Sequence, residues 1–201
     1  MFRQISILLT LLLALVAIVK SADLHKRSSK RSSKYPQLAK AVISTPGIHA
    51  TFWFQLRVDI PKPKPGNARP IPGLENHPTM STRVWIQYSG VPAGQELAYH
   101  IHNKPVTNND CTSAGDHWNP TQSSMNNPKS PCDRNKLGHC ESGDLSGKHG
   151  KLKKIPDGQL VTYYDSSLRL SHSSRGILGK SVVIHNPAGD RIGCATIKAL
   201  S

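Results

Sequence analysis

From Pro36 onward, apolar and polar positions alternate in short runs. Thr51–Val58 and Thr82–Tyr88 send successive side chains to opposite faces with a period of two, the pattern of half-buried strands, and no stretch carries a sustained 3.6-residue apolar stripe. Further strands are expected around Gln159–Tyr164, Leu168–Ser171, Lys180–His185 and Ile192–Ile197, each bounded by Pro, Gly, Asn or Ser. The pattern predicts an all-β fold of seven to eight short antiparallel strands in a Greek-key sandwich or barrel. Pro61-Lys62-Pro63-Lys64-Pro65-Gly66, continuing to Pro70, Pro72 and Pro78, reads as a loop insertion, because proline cannot donate to a strand ladder.

The first residues follow a different pattern. Arg3 precedes an apolar run from Ile5 to Val19, and Val19-Lys20-Ser21 offers small residues for cleavage, so residues 1–21 read as a secretory signal, too short to span a bilayer comfortably. Residues 22–35 are basic and lack an apolar face; they are expected to be a disordered arm or a pro-segment cut at Lys26-Arg27 or Lys30-Arg31. Residues 36–201 then form one β domain. The chain ends Ala199-Leu200-Ser201 with no apolar tail, so a lipid anchor of the glycosylphosphatidylinositol kind is not expected; the rival reading of Ile5–Val19, a stable membrane anchor, is disfavoured by the shortness of that run.

Charge narrows the partners. Lys and Arg number 26 against 12 Asp and Glu, a formal charge of +14, yet aromatics are few and no nucleic-acid-binding module is present. For an exported chain the expected attraction is to small anions or acidic wall polymers rather than nucleic acid. A monomer is favoured. Four cysteines in an oxidising compartment make two disulfides the default, with three pairings open.

The candidate chemistry lies in Tyr99-His100-Ile101-His102 and, beyond Cys111, in Gly115-Asp116-His117-Trp118. Residues two apart on a strand share a face, so His100 and His102 can aim at one ion. His117 adds a third imidazole. A nitrogen-rich set suits copper or zinc and disfavours magnesium or calcium.

Together with Val182-Val183-Ile184-His185 and Gly189-Asp190-Arg191-Ile192-Gly193-Cys194, these motifs resemble the copper/zinc superoxide dismutases in order and spacing, from about Ala50 to Ile197. The resemblance implies an eight-stranded Greek-key barrel and copper held by His100, His102, His117 and His185. It pairs Cys111 with Cys194, which leaves Cys132 to Cys140, and makes Arg191 the guide for the superoxide anion. The implied activity is conversion of two superoxide anions to dioxygen and hydrogen peroxide by copper redox cycling.

The zinc half of the family pattern is missing. Met125 and Glu141 stand where two zinc histidines would lie, which leaves His117 and Asp144, too few for a tetrahedral site. Glu141-Ser142-Gly143-Asp144-Leu145-Ser146-Gly147-Lys148-His149-Gly150 and the short link between His185 and Arg191 resemble the extracellular copper-only superoxide dismutases. Copper is therefore the expected cofactor and zinc is not. Glu141 is expected to hold the far nitrogen of His117, and Asp144 to brace the loop or another ligand histidine. Two rival readings are a copper/zinc enzyme with zinc held through His139, and a catalytically weak extracellular copper-binding or wall-associated module on the same fold.

Overall fold

The computed structural model describes residues 36–57, 81–120, 132–156 and 159–200. The expected signal, basic arm, Pro61–Pro78 insertion and Met125 lie outside them. Nine strands follow in order: β1 (Leu38–Ser44), β2 (His49–Arg57), β3 (Ser81–Ser89), β4 (Glu96–His102), β5 (Leu152–Lys153), β6 (Val161–Asp165), β7 (Ser181–His185), β8 (Arg191–Thr196) and β9 (Lys198–Ala199). Among the described residues one α-helix, α1 (Leu145–His149), precedes β5.

The strands form two antiparallel sheets, ordered β6-β3-β2-β1-β9 and β5-β4-β7-β8. Phe52, Phe54, Val84 and Ile86 from the first sheet meet Leu97, Tyr99, Ile101, Val182 and Ile184 from the second in one core. Alternation does the sorting, since each strand turns its apolar set inward. The chain passes from one sheet to the other at buried Ile197, where β8 ends and β9 begins to pair with β1. The all-β sandwich therefore stands, but β9 takes the edge of β1, and no ladder closes the two sheets into a barrel among the described residues.

Two elements differ from the sequence expectation. Leu168–Ser171 is not a strand: Leu168 and Leu170 are buried in the core, but the backbone turns back on itself, Arg169 O accepting from both Ser171 N and Ile177 N. Two buried leucines two residues apart mimic a strand whether the segment is a strand or a plugging loop. Conversely, β1 buries Ala39, Ala41 and Ile43, side chains mostly too small to stand out as an apolar run.

Candidate metal centre

On β4, Leu97, Tyr99 and Ile101 point into the core, so His100 and His102 face outward. β7 pairs with β4 in the register Ala98 to His185, His100 to Val183 and His102 to Ser181, which puts His185 on that same outer face. The long β4–β5 connection then folds over them. His117 bridges to His102, Trp118 N donates to Ile101 O, and Ile101 N donates to Gly143 O. The edge of β4 that β5 leaves unpaired is thus used to seat the segments bearing His117 and Glu141. Gly143 is required there. A Cβ at this position would lie 2.6 Å from both Ile101 O and Trp118 O.

One nitrogen from each of His100, His102, His117 and His185 lies within 4.8 Å of the others. The remaining nitrogens are held from outside. His102 Nδ1 donates to Gly115 O at 2.7 Å, and His185 Nδ1 donates to Gly189 O at 3.0 Å, since a carbonyl only accepts. That fixes both tautomers and leaves the two Nε2 lone pairs facing each other at 3.3 Å. Two unshared pairs at that distance repel unless a cation lies between them. Burial pushes His102 down to about 4 and lowers His185, so both are neutral, metal-ligating imidazoles at pH 7.

Two carboxylates complete the arrangement. Glu141 Oε2 accepts from His117 Nδ1 at 2.7 Å, and that bond holds its carboxyl below the ordinary range against the opposing effect of burial. Asp144 lies 3.4 Å from His100 Nε2, with Ser146 Oγ at 3.2 Å from the same nitrogen. Burial would raise Asp144, but the His100 contact and the Gly147 N–H outweigh it and keep the carboxyl low. His100 Nδ1 is buried without a hydrogen-bond partner, as a metal-facing nitrogen would be. Donor type, fixed tautomers, opposed lone pairs and an orphaned nitrogen together fit a copper ion.

Arg191 does not pair with its neighbour Asp190, which instead accepts from the Asn186 amide. Its guanidinium donates to Cys111 O and Gly115 O, each at 2.8 Å. Neutral carbonyls fix its position without cancelling its charge. Cys111 is disulfide-bonded to Cys194, and Cys132 to Cys140. His139 stands exposed on a single 3-10 turn next to Cys140. Among the described residues it belongs to no group of three or more potential metal ligands.

Sequence reasoning passed over several supports. Gly115 O serves both His102 and Arg191, and Ser146 touches His100. Lys148 Nζ, buried, donates to Asp165 Oδ2 at 2.6 Å and to Ser142 O at 2.8 Å, while His149 Nε2 reaches the same Asp165 oxygen at 2.8 Å. The Lys148-His149 pair was visible within the Glu141–Gly150 run, but its partner sits on another strand.

A two-sheet antiparallel sandwich with four imidazoles converging on one outer face defines a β-sandwich metalloprotein. The chain belongs to the copper/zinc superoxide dismutase family, whose model matches residues 73–197. It is 35% identical over 120 residues to cell surface Cu-Zn superoxide dismutase 4 of Candida albicans, covering 58% of this chain and 48% of that protein. It is 33% identical over 128 residues to the cell surface Cu-only superoxide dismutase 5 of the same organism, covering 62% and 51%. The chain spans about half the length of these relatives. Among solved structures, the Cu(II) form of Candida albicans superoxide dismutase 5 superposes with a TM-score of 0.59 at 27% identity, over 83% of this chain and 94% of that one.

Proposed function

We propose that the protein is an extracellular superoxide dismutase that uses copper alone, converting two superoxide anions and two protons to dioxygen and hydrogen peroxide. The observation that carries the reading is the outward-facing nitrogen of His117. In zinc-containing members that imidazole is shared with zinc, whereas here Glu141 occupies its Nδ1. A bound copper ion supplies the one-electron redox chemistry of both half-reactions.

The protein's own residues hold, orient and attract. His100, His102, His117 and His185 hold the ion. Gly115 O, Gly189 O and Glu141 keep protons on the Nδ1 atoms of His102, His185 and His117, so that their Nε2 atoms stay available. Arg191, charged and immobilised, draws the substrate anion to the site. The extracellular location is supported by the cell-surface relatives and by two disulfides, which persist in an oxidising compartment.

The test is metal analysis joined to a rate. Protein loaded with copper and offered zinc should retain about one copper and no stoichiometric zinc, and should remove superoxide faster than spontaneous decay. One zinc per copper would restore the mixed-metal reading; bound copper without catalysis would leave a binding module.

A further inference from the structure

The outer face of the β6-β3-β2-β1-β9 sheet lies across the core from the imidazoles and plays no part in the copper chemistry. Its cross-strand register lines up Lys198, Lys40, Trp53, Trp85 and Thr162 in one row. At ~4.8 Å per strand that row is about 19 Å long. Two of the chain's three tryptophans therefore stand on a half-solvated surface, where packing of the core does not call for them. Their rings are nearly parallel, 8° apart, with centroids at 5.8 Å.

The surroundings are cationic. The Arg83 guanidinium lies over Trp85 at 5.4 Å from the ring centroid, and its buried Nε has no hydrogen-bond partner. Exposed Tyr164 is its cross-strand neighbour. Outward positions of the described strands of this sheet include Lys40, Arg57, Arg83 and Lys198 and no Asp or Glu. Among the described residues, none of these four cations pairs with a carboxylate.

We propose that this face binds an acidic polysaccharide, with Trp53 and Trp85 contacting the C–H surfaces of successive sugar units and Arg83, Lys40 and Lys198 meeting their negative charges. A protein partner would call for a contiguous apolar patch, but the tryptophans are flanked by Lys40, Gln55, Arg83 and Gln87. A nucleic acid would call for a slot into which a base could insert between the rings, and rings packed parallel at 5.8 Å leave no such slot. A ribbon of sugars, apolar on its ring faces and charged at its rim, matches both the indoles and the flanking cations.

The test is affinity electrophoresis of the full, copper-loaded chain through gels containing polygalacturonate, neutral β-glucan or single-stranded DNA. Wild type should be retarded most by polygalacturonate. The double variant Trp53→Ala/Trp85→Ala, whose formal charge is unchanged, should bind about tenfold more weakly. Trp85→Tyr, which keeps a ring, should retain most of the retardation, and an unaltered copper spectrum in each variant reports an intact fold. Equal retardation of the double variant would reduce the interaction to net charge and overturn the proposal. Stronger retardation by DNA or by the neutral glucan would overturn it as well, as would a Trp85→Tyr variant retarded no more than the double alanine variant.

Discussion

Glu141 and Arg191 act on the centre in separable ways. Glu141 fixes the His117 tautomer through one charge-assisted hydrogen bond. Glu141→Gln keeps the side chain's size but replaces the charged acceptor with a neutral amide. Turnover measured by pulse radiolysis should fall about 10- to 100-fold while copper stays bound, with a shifted Cu(II) spectrum. The Arg191 guanidinium donates to the carbonyls of Cys111 and Gly115 rather than to an imidazole. Arg191→Ala should lower the rate about tenfold and flatten its dependence on ionic strength, leaving copper affinity near wild type. A matching loss of copper would instead assign Arg191 to holding Gly115 O against His102.

The Glu141–His149 segment is the element on which both carboxylates depend. Asp144 caps α1 through Gly147 N, and Lys148 near its end is tied to Asp165 of β6 and back to Ser142 O. Both side chains of the Lys148–Asp165 pair are only 4% exposed, so removing the lysine takes from a buried carboxylate its ammonium partner. Lys148→Met should cost about 3–5 kcal/mol in chemical denaturation. Burial alone would raise Asp165, but the His149 hydrogen bond and the Lys148 charge outweigh it and hold the carboxyl far below its ordinary 3.8. A depressed folded value means that its stabilisation is complete above that ordinary value and is lost as pH falls below it. Denaturation midpoints taken downward from pH 5 should therefore drop for wild type, and drop less for Asp165→Asn.

At the scale of the molecule, the two sheets place the four imidazoles on one outer face and the tryptophan row on the other. The Cys111–Cys194 bridge, 83 residues apart in sequence, ties the loop that carries Gly115 and His117 to β8, which carries Arg191. Replacing both cysteines with serine should cost about 4 kcal/mol. It should also release the Cys111 carbonyl from Arg191, so activity is expected to fall even at temperatures where the variant remains folded. Thermal unfolding and rate measured on one sample would separate these two effects.

Much of this was written in one dimension. Period-two alternation specifies strands such as β2 and β3 because each strand has one face in the core and one in water. His100 and His102 share a face for the same reason. Local patterns ran out where partners are distant: β1 hides behind small side chains, Leu168 and Leu170 mimic a strand, and Lys148 gives no sign of Asp165. Only the tertiary structure brought His117 and His185 beside the first pair, aimed Arg191 at loop carbonyls rather than at Asp190, and lined up Trp53 with Trp85. Alternation is set by the geometry of a single strand, whereas convergence is set by register between strands and by loops laid over them, which no short stretch of sequence contains.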